Sequence, residues 1–442
     1  MLLHVQSQHA TNLHSLTENA DSPMNESEGK PKRLRIGPAM LVTAAFIGPG
    51  TVVTASKAGA QYGCELLWTV LFASVGTIVL QSIAARLGIL NGEGLGESIR
   101  SSLANSSWLM PAIVLVISAI GVGNAAYQTG NLTGAATGIE SIAGGTSAIW
   151  VGAIAVVTAG LLLIGRYRVL QSVLIGLVVL LSLCFVSAAL MMMPPTAEIA
   201  SGLIPKVNAE NLTLVLALIG TTIVPYNLFL HASTAAENWK DSSGETALRQ
   251  SWWDTVFSIG LGGFVTAAIL LSASTAFADG RTALSGTADI AQQLQPAMGR
   301  LSGFAFGIGL FAAGVTSSIT APLATAYAVC GIMNWSSETN STRFRLIAMT
   351  VLVVGALFAI GFGKSPIQVI LFAQLANGIL LPIVAICLMV IFSRLNKNRN
   401  SQMVEANQRQ SKTILLFGWL VTLAVVALAL WRLRNLFVAN FM

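Results

Sequence analysis

The chain has 442 residues, 54% of them hydrophobic and 10% charged, with 24 Lys and Arg against 18 Asp and Glu. Soluble domains carry roughly a quarter charged residues, so this composition, with a mean hydropathy of +0.73, excludes a water-soluble enzyme, a disordered chain and a disulfide scaffold. It describes a polytopic membrane protein, and the net charge of +6 is read first as a topology signal rather than as a footprint for nucleic acid.

In chain order, residues 1–36 form a polar tail rich in Ser, Asn and Gln that ends in the basic cluster Lys30, Lys32, Arg33 and Arg35. No cleavable signal precedes the first apolar run, so the tail is expected in the cytoplasm. Windows of about 20 apolar residues predict spans at 38–61, 65–88, 108–139, 146–164, 169–193, 210–235, 253–278, 300–332, 345–362, 366–392 and 413–435. An odd number of spans places the C-terminus outside. The expected organisation is the tail 1–36, a first five-helix block 37–193, an outer loop 194–209, a second five-helix block 210–392, a basic inner loop 393–412, and an eleventh helix with the C-terminus, 413–442.

The basic residues support this orientation. Inner segments hold Arg86, Arg100, Arg166, Arg168, Lys240, Arg249, Arg343, Arg345, Arg394, Lys397, Arg399, Arg409 and Lys412, whereas outer ones hold only Lys206, Arg281, Arg300, Lys364, Arg432 and Arg434. The remaining basic residue, Lys57, falls inside span 1, and no carboxylate falls at mid-membrane. The location expected is a plasma membrane, of the bacterial inner type. Cys64, Cys184, Cys330 and Cys387 show no CxxC spacing and read as packing residues.

Two spans are interrupted in the same way, by Gly48-Pro49-Gly50-Thr51 in span 1 and by Val224-Pro225-Tyr226-Asn227 in span 6. Proline removes a backbone donor and clashes with the preceding turn, so each span is expected to unwind there into two half-helices. Each break opens a block of five spans. Broken helices at matching positions of two halves point to an inverted-repeat transporter with its site near the bilayer midplane. Gly130, Gly134 and Gly138 repeat every fourth residue of span 3, as close helix packing requires. Gly92, Gly94 and Gly96 follow no strand and are not a nucleotide loop. No acid and base are paired in the membrane core, so an enzyme is not expected; a ligand-binding sensor that signals through the tail is a third class, weakened by the tail's shortness.

These residues resemble a known family. FIGPGTVVTASKAGAQYG at 46–63, ELLW at 65–68 and QSIAARLGI at 81–89 are similar to the opening of the NRAMP divalent-metal transporters, whose first helix carries Asp-Pro-Gly-Asn and then an AGAQ-like run. In span 6, IVPYNLFLHAS resembles Met-Pro-His-Asn-Leu-Tyr-Leu-His-Ser; in span 8, GLFAAGVTSSIT stands where the family has a Gly-Gln-Ser-Ser-Thr run. Gln374 and Pro382 resemble elements of the family's tenth helix. The resemblance covers residues 36–392 and implies an all-α LeuT-type fold, a 5+5 inverted repeat plus an eleventh helix.

The departures fall on the positions that carry the family's chemistry. Its metal-binding Asp aligns with Gly48, its Asn with Thr51, its Met with Val224 and its carbonyl-donating Ala with Thr221, leaving Gln374 as the surviving side-chain ligand. Its proton-carrying residues align with Ile117, Asn124 and Tyr127, and the His after the span-6 proline with Tyr226, none of which exchanges protons near neutral pH. No metal is expected at the site, and proton coupling is expected to be lost.

The expected substrate site is therefore Gly48, Gly50, Thr51, Thr221, Val224, Tyr226, Asn227 and Gln374. Two half-helix N-termini with hydroxyl and amide donors favour an anion. Lys57 lies six residues beyond Thr51, about 9 Å of helix rise, and would add positive charge in the outer vestibule or snorkel to the interface. The leading expectation is accordingly a transporter of a small anion, bicarbonate first. Na⁺ is a candidate coupling ion at Thr316, Ser317 and Ser318, and no other cofactor is called for. The competing expectation is a divalent-cation carrier, for Mg²⁺ or Mn²⁺, that uses carbonyl, hydroxyl and water ligands. The partners expected are a small inorganic ion and the lipid bilayer, without nucleic acid; a monomer suffices, although the sequence leaves the oligomeric state open.

Overall fold

The computed structural model describes residues 47–164, 168–240, 244–278, 284, 286–362, 365–399 and 405–441. The polar tail, the upstream part of span 1 and the loop residues Arg166, Arg281 and Lys364 lie outside the described residues. The helices are α1 (Pro49–Tyr62), α2 (Leu67–Asn91), α3 (Leu95–Leu103), α4 (Leu109–Ala143), α5 (Ser147–Ile164), α6 (Arg168–Met191), α7 (Thr196–Gly202) and α8 (Leu212–Thr222). The second half continues with α9 (Pro225–Asn238), α10 (Gly244–Ala276), α11 (Thr287–Ala291), α12 (Gln295–Met298), α13 (Ser302–Met333), α14 (Thr342–Phe362), α15 (Pro366–Arg399) and α16 (Glu405–Phe441). Among the described residues ten helical segments are long and apolar enough to cross a membrane, α8–α9 and α11–α13 each counting as one. The described part of the first span, α1, has 14 residues.

The break expected at Pro225 is visible on both sides; of the one expected at Pro49, the described residues show the downstream half-helix and its start. Helix α8 stops at Thr222, after which Ile223 (φ −91°, ψ 75°) and Val224 (φ −80°, ψ 120°) leave the helical region before Pro225 opens α9. The proline ring forces its predecessor out of the α region, while proline itself is tolerated at the first helical position. Gly48 is extended in the same way (φ −110°, ψ −174°) and Pro49 opens α1.

Small residues set the helix packing. A Cβ added at Gly134 of α4 would lie 2.2 Å from the Pro49 Cβ of α1, one at Gly138 would lie 2.6 Å from the Gly307 carbonyl of α13, and one at Gly130 would touch Ala373 of α15 at 3.3 Å. The four-residue glycine repeat thus serves three neighbouring helices, in the manner of close-packed membrane helices. Large apolar side chains face outward from the peripheral helices, such as Val156, Leu190, Leu357 and Leu423 on α5, α6, α14 and α16, where lipid rather than water covers them.

Three features were not expected from apolar windows. Helix α3 follows the left-handed cap at Gly92 (φ 70°) and packs Gly96 against the Ala328 carbonyl of α13. Helix α7 and the α11–α12 segment occupy stretches read as loops. All three are too short or too polar to register in a window of about 20 residues. The four cysteines are free thiols, three of them buried.

Candidate functional site

The two helix breaks meet at one place. Thr51, in the first turn of α1, and Thr221, in the last turn of α8, are fully buried, and their hydroxyl oxygens lie 2.8 Å apart. The Gln374 amide of α15 lies over the start of α1, so close that a Cβ at Gly50 would fall 2.2 Å from its Nε2. A Cβ at Gly220 would fall 2.1 Å from the Gln374 carbonyl, so Thr221 is held against the same turn of α15. Gly50, Thr51, Thr221 and Gln374 therefore form one cluster, with the Gln374 Oε1 lacking a hydrogen-bond partner.

The second break supplies Val224, Tyr226 and Asn227, all fully buried. Pro225 at the helix start sends these side chains inward with the first turn of α9. Neither amide atom of Asn227 has a hydrogen-bond partner, and the Tyr226 ring meets Tyr127 of α4 edge to face at 5.3 Å and 70°.

The other expected positions scatter. Asn124 donates through Nδ2 to the Thr325 hydroxyl and, at 3.5 Å, to the Ala321 carbonyl, and so ties α4 to α13. Ile117 is only half-buried, two turns earlier on α4, and is not brought to the site. Thr316 donates back to the Ala312 carbonyl at 2.8 Å, the ordinary bond of a Thr in a membrane helix. The Ser318 carbonyl accepts from the Gln128 amide of α4 at 3.2 Å, so this turn of α13 faces α4, and Ser317 beside it is buried. Lys57 is half-buried further along α1. His231 is paired through Nδ1 with the Gln81 Oε1 at 3.0 Å.

Sequence reasoning missed two polar elements. The Gln293 amide, ahead of α13, donates to the Ser56 hydroxyl of α1 at 2.7 Å, with both side chains fully buried. Asn377 of α15 is buried with neither amide atom partnered. Asparagine within an apolar span was the available signal for the second.

The site contains hydroxyls, carboxamides, a phenol and opened backbone, arranged around two discontinuous helices, as in a solute transporter. The chain matches the model described as natural resistance-associated macrophage protein-like, Nramp, over residues 39–434, and it belongs to that family. It is 30% identical over 355 residues to a divalent metal cation transporter, MntH 1, of Pseudomonas aeruginosa, covering 76% of this chain and 78% of that relative. It is 29% identical to the divalent metal cation transporter MntH of Acidiphilium cryptum, covering 81% of this chain and 82% of the relative.

Solved structures agree on the fold. A manganese transporter of Eremococcus coleocola superposes with a TM-score of 0.65 at 21% identity, over 90% of this chain and 94% of its own. Mhp1, of the nucleobase-cation-symport-1 family, superposes with a TM-score of 0.53 at 13% identity, over 91% and 93%. The protein is thus an all-α, multi-pass membrane transporter of LeuT-type fold, and not an enzyme.

These relatives overturn the expectation of a small anion, bicarbonate first, because they are named as divalent metal cation transporters. The physical reason lies in the groups themselves. Hydroxyl and carboxamide groups offer oxygen lone pairs as readily as N–H or O–H donors, so a site of Thr51, Thr221, Asn227 and Gln374 carries no sign preference. Beside the half-helix dipoles stand these oxygens and the carbonyls released where α8 stops before Pro225.

Proposed function

We propose that this chain carries a divalent metal cation, Mg²⁺ or Mn²⁺, across the membrane by alternating access, holding it with hydroxyl, carboxamide and backbone carbonyl oxygens and with the ion's own water. The observation that carries the reading is the convergence of Thr51, Thr221 and the unpartnered Gln374 Oε1 on the two helix breaks, in a chain whose relatives are named as divalent metal carriers. Among the described residues no group of three or more His, Cys, Asp or Glu could hold a metal. An ion gripped by neutral oxygens keeps part of its hydration, as Mg²⁺ does in most of its sites.

The Thr51–Thr221 contact closes the site in the present conformation. Separation of the two hydroxyls as the repeats rock would open coordination positions to the ion, while the unwound backbone at Val224 and Gly48 supplies the hinge. In the orientation that the basic loops predict, the N-terminal tail is cytoplasmic. The test is influx of Mn²⁺ and Mg²⁺ into proteoliposomes that contain the purified chain and a trapped metal-sensitive dye. Saturable signal above empty vesicles is expected for at least one ion, and its absence for both would sink the proposal.

A further inference from the structure

A second set of buried polar groups continues from the site along α15. Asn377 is one turn beyond Gln374, so the two side chains lie on the same helix face. Asn377 is 1% exposed, and neither its Oδ1 nor its Nδ2 has a hydrogen-bond partner. A carboxamide withdrawn from water without partners is costly, more so in a membrane, where no solvent can relieve it.

Its neighbours pack closely. Gly123 of α4 faces it so closely that a Cβ there would lie 3.2 Å from the Asn377 Oδ1. One turn further along α4, Tyr127 meets Tyr226, and Tyr226 precedes Asn227, whose amide is also unpartnered. A continuous line of contacts thus joins Asn377 to the second helix break. In the orientation of the basic loops, Asn377 lies on the cytoplasmic side of Gln374.

We infer that Asn377 is a second coordination station for the transported divalent cation, adjoining Gln374 and taking the partly hydrated ion as it leaves the Thr51–Thr221 cluster toward the cytoplasm. This rests on the divalent-cation reading above. The carboxamide oxygen is a hard neutral ligand suited to Mg²⁺ or Mn²⁺. Neutrality matters for transit, because a station that binds too tightly holds the ion instead of passing it on.

The experiment compares wild type, Asn377→Leu and Asn377→Asp as full-length protein in proteoliposomes, with Mn²⁺ influx resolved into KM and kcat, and Mn²⁺ binding to the purified protein measured by calorimetry. Asn377→Asp is expected to tighten Mn²⁺ binding by roughly tenfold, since affinity at oxygen sites follows ligand charge, and to lower kcat by slowing release. Asn377→Leu is expected to lower kcat while the Kd stays within about twofold of wild type, because the first site is intact. Unchanged kinetics and binding in both variants would overturn the inference, as would equal losses in both accompanied by a lowered Tm, which is the signature of a packing role. Absence of Mn²⁺ influx and binding in the wild type would instead remove the divalent-cation reading, and this inference with it.

Discussion

The hydroxyl of Thr51 lies 2.8 Å from that of Thr221, 170 residues further along the chain. One residue follows Pro49 and the other precedes the Pro225 break, so this hydrogen bond ties α1 to α8. Gln374 covers the same point from α15 through its contact with Gly50. The site is therefore assembled from three distant segments, and each can be tested separately.

Thr221→Val removes one hydroxyl with little change of volume. The protein should fold, and the KM for Mn²⁺ in proteoliposomes should rise about tenfold, which corresponds to roughly 1.4 kcal/mol of lost ion contact. An unchanged KM would show that Thr221 only bonds Thr51.

Gly48→Asp combined with Val224→Met places a carboxylate and a thioether at the two breaks. Gly48 has a φ of −110°, which any residue adopts, so the backbone accepts Asp; Val224 is fully buried, so Met costs about 1–3 kcal/mol of overpacking. Cd²⁺ binding measured by calorimetry should strengthen by on the order of a hundredfold, because a soft sulfur and a charged oxygen join the ligand set. No gain in Cd²⁺ affinity would place the ion elsewhere.

Gly134→Ala should destabilise the fold at its centre. The added Cβ would lie 2.2 Å from the Pro49 Cβ, a clash with a rigid proline ring costing about 1–3 kcal/mol. The Tm in detergent should fall by several degrees, whereas Gly152→Ala, with nothing within 4 Å of the added Cβ, should not lower it, because Ala is the better helix former.

Glu97, on α3 outside the membrane spans, gives a pH dependence with a definite sign. Its Oε1 accepts from the Ser337 hydroxyl at 2.9 Å, and its Oε2 is unpartnered near Gly331. Burial raises its pKa above the ordinary 4.5, and Glu93 adds to the rise; hydrogen bonds from its own backbone and from Ser337 oppose it. Between 4.5 and the raised value the folded chain holds a proton that the unfolded chain has released, so stability falls as pH rises through that window. Thermal unfolding across mildly acidic pH should show a declining Tm, and Glu97→Gln should flatten the decline.

Much of the fold was legible from hydrophobic runs. Ser302–Met333 and Thr342–Phe362 lie within a few residues of the spans expected there, because a membrane helix must be apolar over the bilayer thickness. The broken helix at Pro225 was legible too, since proline excludes the α conformation from its predecessor. Helix α3, with its N-cap Gly94 and its Gly96, was not, because these glycines are packed against Ser233 and Ala328 on other helices. Substrate sign is not legible in the sequence, because the hydroxyls of Thr51 and Thr221 and the amide of Asn227 read as donors beside the helix ends, although each also offers an oxygen lone pair.

The sequence by itself determined the membrane class, the helix starts at Pro49 and Pro225 and the identity of the groups available at them, since each follows from local chemistry along the chain. Only the tertiary structure decided which of those groups meet. Thr51 finds Thr221, Gln374 finds Gly50, and Asn377 faces Gly123, while Thr316 turns back on its own helix. Helix periodicity fixes the face a residue occupies, but the neighbour on that face is set by how closely glycine-bearing helices approach.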